Sequence, residues 1–293
     1  MRTGNLRAWA ARGVRVDAPG KVSPRAQALL RGPIGGVTRA LFRPTLEGEA
    51  HLPAQGPYFL VANHSAGVGL AELLCLAVLW TERFAGARPL AGFALPLGFK
   101  VWPLSALHRH LGSVPATQEA AREALRAGVP LLVFPGGDHE SLKPFWHNHR
   151  VDFGGRVGYL RLASELRAPI VPLGIRNGAL TAPMLVRARW LAWACVWPRL
   201  VGQKRWGVSL LGALGAVAIL ACAPLELLTR AALAWLWLGS PLSFAPWVPA
   251  RLRLRIGPPL DPRGLAPQVP TTDDLRRASI EIERAVEALV RAP

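Results

Sequence analysis

Short apolar runs alternate with longer stretches of helical periodicity through the middle of the chain. Strand-length apolar runs end near positions 63, 134 and 175, and the segments between them have the spacing of helices. This alternation predicts an α/β domain in which helices cover a mixed, mostly parallel sheet. We also expect a strand over 90–95 and an edge strand over 251–256, where arginine and apolar residues alternate strictly.

The amino-terminal part of the chain lacks this alternation. Residues 1–44 comprise a polar, basic arm and then a basic amphipathic stretch over 25–42, interrupted by Pro33. Such a stretch is typical of a helix in the plane of a membrane interface, and equally of a surface helix packed on a core. We therefore separate residues 1–44 from an α/β domain that occupies residues 45–293.

Residues 190–247 are an amphiphilic, helical insertion within that domain. They contain seven of the eleven tryptophans, and no charged residue occurs from Gly207 to Leu225. A helix of about 20 residues would cross a hydrocarbon layer of about 30 Å, whereas a helical hairpin would dip into one leaflet. A hydrophobic helix that covers the sheet has the same pattern, but the flanking tryptophans and basic residues favour membrane contact.

The charge balance narrows the range of partners. The chain has 35 basic and 18 acidic residues, a net charge of +17. We expect no nucleic-acid partner, because the sequence has no zinc-finger spacing, basic zipper or aromatic RNP-type strand. Basicity combined with high apolar content favours an anionic membrane surface. Three separated cysteines in apolar contexts indicate reduced thiols, and the polar start predicts no signal peptide, so we expect the cytoplasmic face of the cell membrane.

Candidate chemistry begins where the first central strand ends, at Asn63, His64 and Ser65. A polar triplet at a strand end is a usual place for catalysis, although a lone histidine is more often a structural group. A histidine that acts as a general base needs a partner that fixes its tautomer. Glu72 is the acid available eight residues downstream, either as that partner or as an ordinary carboxylate at the start of a helix.

The next central strand also ends in polar, glycine-rich sequence, over 135–141. Gly136 and Gly137 can expose backbone N–H groups that bind an anion, or they can form a plain turn. Lys143, Arg150 and Arg156 lie just beyond and are either phosphate ligands or part of the general arginine surplus. We expect no metal site, because the histidine pairs have neither thiolate support nor a His-Glu-x-x-His spacing.

Four segments resemble blocks of the lysophospholipid acyltransferases, the family that contains the 1-acylglycerol-3-phosphate acyltransferases. They are residues 46–65, 111–116, 133–140 and 170–173, so that the likeness covers about residues 45–180. The chain departs from the usual pattern in two places: Gly69 stands where the first block has an aspartate, and Gly136 and His139 replace a glutamate and an arginine of the third block. A divergent sub-branch with a longer first loop is similar, and there Glu72 would take the role of the aspartate.

The resemblance implies an O-acyltransferase that moves a fatty acyl group from acyl-CoA or acyl carrier protein to a hydroxyl of a lysophospholipid or glycerolipid, in phospholipid biosynthesis at a lipid bilayer. His64 would be the general base, Glu72 would orient it, and no metal or redox cofactor is needed. The alternatives are an acyltransferase for a lipid acceptor without phosphate, and a membrane-lipid-binding protein of the same fold without catalysis. The candidate substrate-binding residues are Asn63, Ser65, Arg109, Gly136, Gly137, Asp138, His139, Glu140, Lys143 and Arg156.

Overall fold

A computed structural model describes residues 16, 18–67, 69–200, 202–265, 267 and 269–293, so most of the predicted arm lies outside the described residues. The strands are β1 (Thr45–Glu47), β2 (Phe59–Ala62), β3 (Ala91–Ala94), β4 (Val114–Pro115), β5 (Leu131–Val133), β6 (Ile170–Arg176), β7 (Met184–Ala188), β8 (Trp206–Ser209) and β9 (Arg253–Ile256). The α-helices are α1 (Pro24–Arg31), α2 (Pro33–Phe42), α3 (Leu70–Phe84), α4 (Leu104–His110), α5 (Gln118–Arg126), α6 (Gly137–Ser141), α7 (Gly158–Leu166), α8 (Gly178–Thr181), α9 (Arg189–Ala194), α10 (Trp197–Leu200), α11 (Leu210–Cys222), α12 (Leu227–Gly239), α13 (Pro262–Leu265) and α14 (Thr272–Arg291).

Within this part of the chain, seven strands form one sheet in the order β1–β9–β6–β2–β5–β3–β4. Every neighbouring pair is parallel except β6 and β9, which are antiparallel. The sheet is therefore mixed and mostly parallel, and the predicted α/β class is confirmed. Strand β2 lies in the middle of the sheet, and Val61 pairs with Val133 of β5 on one side and with Pro172 of β6 on the other. Because these three strands run the same way, their carboxyl ends meet at one edge.

The central strands are apolar throughout because both faces of the sheet are covered. Phe59 and Val61 of β2 lie in one apolar layer with α5, α7 and α14, whereas Leu60 and Ala62 lie in a second layer with α3. Side chains alternate between the two faces of a strand, so a strand that is buried on both faces is apolar at every position. The first polar residues after β2 consequently mark the point at which the chain leaves the core.

Several predicted helices are confirmed, and their limits follow from their capping residues. Thr117 accepts a hydrogen bond from the Ala120 N–H at 3.2 Å and begins α5. The amphipathic stretch over 25–42 forms two helices, since the chain turns at Gly32 before Pro33. Both helices pack against α3, although Leu29 of α1 and Val37 of α2 remain exposed.

The predicted edge position of the strand over 251–256 is wrong. Strand β9 lies between β1 and β6, and the three-residue strand β1 forms the edge instead. The strict alternation has another cause: the apolar residues of β9 are buried, and its arginines are half-buried and engage neighbouring groups. Arg255 donates to the Glu47 carboxylate of β1 at 2.9 Å. A three-residue strand carries too little periodicity to be recognised from sequence.

The apolar run from Gly207 to Leu225 is divided between two elements. Its first three residues belong to β8, which pairs with β7 in a separate two-stranded sheet. Ser209 then caps α11 by accepting a hydrogen bond from the Gly212 N–H at 2.8 Å. Helix α11 packs against α12 as a hairpin. Among the residues described, no helix combines the length and the apolar character needed to cross a membrane.

Candidate active site

The end of β2 is fixed by a buried amide. Asn63 has no accessible surface. Its side chain donates to the Ile175 carbonyl at 2.8 Å and accepts from the Ile175 N–H at 2.7 Å. These two bonds replace the strand pairing that β2 would otherwise continue with β6, and they set the direction in which His64 leaves the sheet. Both polar ends of the Asn63 side chain are thus engaged within the protein, and its proposed contact with substrate stays a prediction.

His64 is hydrogen-bonded to Glu72, as predicted for a histidine that works as a base. The His64 Nδ1 lies 2.8 Å from the Glu72 Oε2, and Glu72 is completely buried in the first turn of α3. The Ser65 N–H and hydroxyl also donate to the same carboxylate. An ionised carboxylate only accepts hydrogen bonds, so this contact selects the neutral tautomer with its proton on Nδ1 and a lone pair on Nε2.

Two glycines make room for this pair. Gly69 has a φ of +66°, and a Cβ atom there would lie 1.9 Å from the His64 Cε1. In this arrangement position 69 has no space for the family's aspartate side chain. Glu72 comes three residues later, on the first turn of α3, and reaches the imidazole from the helix. On the other side, a Cβ atom at Gly178 would lie 2.2 Å from the Glu72 Oε1.

Glu140 connects the third sequence block to the first. Its Oε2 accepts a hydrogen bond from the His64 N–H at 3.0 Å, while its Oε1 lies 3.4 Å from both the Lys143 Nζ and the Asp152 N. Burial raises the pKa of the Glu140 carboxyl to about 7, against the lowering effects of Lys143 and of the His64 N–H. A Cβ atom at Gly136 would lie 2.3 Å from the Glu140 Cβ, so the glycine lets this carboxylate approach the turn.

Phe134 packs against the catalytic candidate and was not singled out from the sequence. Its ring centroid lies 4.6 Å from that of His64, with the planes tilted by 33°. The His64 side chain retains 13% of its accessible surface. The aromatic ring therefore limits rotation of the imidazole and leaves a narrow opening. The sequence feature that could have identified Phe134 is its position, directly after β5 and before Pro135.

Asp138 and Arg156 contact each other beside the Pro-Gly-Gly turn. They make an ion pair, and Arg156 also donates to the Gly136 carbonyl at 2.9 Å. The second Asp138 oxygen accepts from the backbone N–H groups of Lys204 and Arg205 at 3.0 and 3.1 Å. Burial acts to raise the pKa of Asp138, but the hydrogen bond and charge of Arg156 and the backbone donors outweigh it, so the pKa is lowered.

The remaining predicted residues lie around this centre in different ways. The Gly137 N–H donates to the Phe134 carbonyl at 3.2 Å, so it is used within the turn. His139 Nε2 lies 2.7 Å from the Asp152 carboxylate. The Lys143 ammonium group is buried and donates to the Arg150 carbonyl. Arg109 is exposed on α4 and donates to the Ser105 hydroxyl of the same helix at 3.4 Å.

These contacts separate the predicted site residues into two groups. The structure brings His64, Ser65, Glu72 and Glu140 into one hydrogen-bonded cluster at the carboxyl edge of the sheet. The three basic candidates for phosphate binding are placed differently: Arg156 is held by the turn and Asp138, Lys143 is buried against Glu140 and the Arg150 carbonyl, and Arg109 lies on α4. No group of three or more histidine, cysteine, aspartate or glutamate side chains that could hold a metal ion is found in the described ranges.

We predict that Glu140→Gln changes how stability depends on pH. The Glu140 carboxyl binds its proton more tightly in the folded protein, with a pKa of about 7, than at the ordinary value of 4.5. Its contribution to stability is therefore fully present below pH 4.5 and is lost as the pH rises through 7. In urea unfolding, the free energy of unfolding of the wild type should fall between pH 4.5 and pH 7 by up to about 3 kcal/mol more than that of Glu140→Gln. The exposed control Glu281→Gln should leave the wild-type slope unchanged, and equal slopes for wild type and Glu140→Gln would contradict the assignment.

The region around His64 is similar to known proteins. Residues 43–176 match the family model described as Acyltransferase. An uncharacterized protein of Mycobacterium tuberculosis is 30% identical over 154 residues, which are 53% of this chain and 43% of the relative. Phytyl ester synthase 2, chloroplastic, of Arabidopsis thaliana is 31% identical over 139 residues, 45% of this chain and 19% of the plant protein. The chain thus spans less than half the length of these curated relatives.

Among solved structures, the crystal structure of the 1-acyl-sn-glycerophosphate (LPA) acyltransferase PlsC from Thermotoga maritima is 17% identical, with a TM-score of 0.49, and the match covers 99% of this chain and 89% of that chain. The family match over residues 43–176 includes His64, Glu72 and Glu140. It agrees with the resemblance to the lysophospholipid acyltransferases, and over this region the chain is similar to the acyltransferase family.

Proposed function

We propose that the protein transfers a fatty acyl group from a thioester, acyl-CoA or acyl carrier protein, to a lipid hydroxyl. The observation that carries this proposal is the 2.8 Å contact between the His64 Nδ1 and the Glu72 carboxylate. It leaves Nε2 as the basic nitrogen of a neutral imidazole at a partly open position. Such a nitrogen can take the proton of an acceptor hydroxyl while the hydroxyl oxygen attacks the thioester carbonyl.

The reaction needs no group beyond the two substrates. The new C–O ester bond forms as the C–S bond breaks, and the proton taken by His64 passes to the leaving thiolate. Glu72 keeps the imidazole in the Nδ1–H tautomer and stabilises the imidazolium formed during the transfer. Glu140 acts as a positioning residue, because it holds the His64 N–H. No metal or redox cofactor takes part in this mechanism.

For the acceptor, we propose a lysophospholipid or glycerolipid of the 1-acylglycerol-3-phosphate type, in phospholipid biosynthesis. A second acceptor class, a lipid alcohol without phosphate, is favoured by the similarity to a plant protein named as a phytyl ester synthase. The absence of an aspartate at position 69 would favour a lipid-binding protein without catalysis if His64 had no other acidic partner. Glu72 now supplies a carboxylate to His64, which supports catalysis instead.

We further propose that the protein works at the cytoplasmic face of the cell membrane, with the α11–α12 hairpin in one leaflet. The hairpin exposes large apolar side chains, including Val217 at 63%, Leu227 at 76% and Leu228 at 82%. Each helix has 13 residues and is about 20 Å long, shorter than the hydrocarbon layer of about 30 Å. A net charge of +17 favours an anionic lipid surface.

The neighbouring helices extend this apolar surface. Trp190 and Trp193 of α9 are both about two-thirds exposed, and the Arg199 guanidinium lies 4.4 Å from the centre of the Trp193 ring. Tryptophan and arginine at the edge of an apolar surface are typical of the lipid headgroup region. The Trp235 indole of α12 donates to the Ala194 carbonyl at 2.8 Å, so α9 and α12 are held side by side.

The base of the hairpin contacts the loop that carries His64. A Cβ atom at Gly67 would lie 2.7 Å from the Phe244 Cβ, and the Gly67 N–H donates to the Ser141 carbonyl at 2.9 Å. Phe244 is buried with Trp206 and Leu142 in a third apolar cluster. A lipid acceptor that enters along the hairpin would therefore arrive next to the catalytic loop.

We predict that His64→Ala lowers acyl transfer by roughly 10²–10⁴-fold, because the acceptor loses its general base. Glu72→Gln should lower it at least tenfold, since an amide can also donate and so no longer selects the Nδ1–H tautomer. The measurement is thiol release from acyl-CoA by purified protein with a panel of phosphorylated and unphosphorylated lipid acceptors. Glu281→Gln is the matched control, and circular dichroism and thermal unfolding check that each variant is folded. Wild-type turnover in folded His64→Ala would rule out this mechanism.

We predict that the double variant Leu227→Ser, Leu228→Ser weakens membrane binding at least tenfold, because two exposed leucines lose their apolar contact with lipid. Binding is measured by co-sedimentation with anionic phospholipid vesicles. The double variant Val269→Ser, Ile280→Ser removes two exposed apolar side chains elsewhere and should bind like the wild type. Unchanged sedimentation of the Leu227, Leu228 variant would mean that another surface contacts the membrane.

A further inference from the structure

A basic hollow of about 350 Å³ lies outside the His64 cluster. Its lining comes from three separate parts of the chain: the loop after α6, the end of β6 and the end of α14. All of the ionisable side chains in that lining are basic. The residues are Trp146, His147, His149, Arg150, Arg176 and Arg291.

Contacts within the protein hold two of the arginines at the hollow. Arg176 donates to the Ala292 carbonyl, which ties the end of β6 to the end of α14. The Arg291 guanidinium lies 2.7 Å from the Glu287 carboxylate. The same carboxylate also accepts a hydrogen bond from the Val151 N–H at 3.1 Å. The contact with Ala292 fixes the Arg176 guanidinium, and Glu287 orients the Arg291 guanidinium.

His149 lines the hollow together with the arginines. Its pKa is lowered, first because the side chain is partly withdrawn from water, and then because Arg176, Arg291 and Lys143 repel a second positive charge. Like charges this close repel one another, and a bound anion would reduce that repulsion. Arginine forks match phosphate oxygens in geometry as well as in charge.

The hollow is connected to the catalytic cluster by two short series of contacts. Arg176 directly follows Ile175, whose backbone binds the Asn63 side chain beside His64. Arg150 offers its carbonyl to the Lys143 ammonium, and Lys143 faces Glu140, which holds the His64 N–H. Because Arg176 is the last residue of β6, the hollow lies at the same carboxyl edge of the sheet as the His64 cluster.

We propose that this hollow binds a phosphate or diphosphate group of one of the substrates, an inference that rests on the proposed acyl transfer. Of the basic residues considered from the sequence, Arg150 lines the hollow, where Arg176 and Arg291 join it. Two substrates can supply the phosphate chemistry: the nucleotide part of acyl-CoA, or the phosphate of a lysophospholipid acceptor.

Binding of pyrophosphate to the full chain, measured by isothermal titration calorimetry, tests the site independently of catalysis. We expect the double variant Arg150→Gln, Arg291→Gln to bind pyrophosphate at least tenfold more weakly than the wild type. The control Arg276→Gln, Arg284→Gln removes two exposed charges from the same helix, α14, away from the hollow, and should bind like the wild type. Absence of binding by the wild type, or equal loss in both double variants, would overturn the proposal even if acyl transfer is confirmed.

Steady-state kinetics then distinguish the two sources. If the hollow holds the donor, the Arg150, Arg291 variant raises the KM for acyl-CoA at least tenfold, but not that for an acyl-N-acetylcysteamine thioester. If it holds the acceptor, the variant raises the KM for a lysophosphatidate but not that for a monoacylglycerol. Weaker pyrophosphate binding without a change in any of these KM values would overturn the assignment to a substrate.

Discussion

One buried carboxylate organises the candidate active site of this protein. Glu72 has no accessible surface, and it accepts hydrogen bonds from the His64 imidazole and from the N–H and hydroxyl of Ser65. A buried charge is tolerated only when it is paired or well hydrogen-bonded. The start of α3 adds a favourable dipole, and glycines at 69 and 178 remove the side chains that would collide with the pair. The position of the histidine therefore depends on the loop, the helix and both glycines together.

The rest of the site supports the backbone that delivers His64. Asn63 joins the end of β2 to β6, and Glu140 joins the His64 N–H to the turn after β5. The ends of three neighbouring parallel strands are thereby joined through the adjacent residues Asn63 and His64. The same turn is tied to the β8 region through Asp138 and the backbone of Lys204 and Arg205. Changes near the apolar hairpin can reach the catalytic loop through these contacts and through Phe244 against Gly67.

The sequence alone was sufficient for the parts of this arrangement that depend on local pattern. The apolar runs of β2, β5 and β6 identified the central strands, and the polar residues directly after them identified the edge that carries His64 and Glu140. The separation of His64 and Glu72 along the chain allows their pairing, because the first turn of a helix can face back to the preceding loop, but it equally allows an ordinary helix-start carboxylate. The resemblance to the acyltransferase sub-branch is what favours the pairing.

What the sequence could not provide depends on contacts between distant segments. The edge position was assigned to β9 because β1 is only three residues long, and the pairing of the two strands joins residues more than 200 positions apart. Lys143 was expected to face a substrate, but it points into the protein towards Glu140 and Arg150. The basic hollow needs Arg291 from the last helix beside Arg150, and no local pattern indicates that proximity.

Whether Glu72 holds His64 in the Nδ1–H tautomer can be measured directly. Nitrogen-15 NMR of histidine-labelled protein, with the His64 signals assigned by comparison with His64→Ala, measures the protonation of each ring nitrogen directly. At a pH where His64 is neutral, we predict a protonated and hydrogen-bonded Nδ1 and an unprotonated Nε2, with the tautomers mixed in Glu72→Gln. A proton on Nε2 in the wild-type protein, or the same tautomer in both proteins, would contradict this prediction.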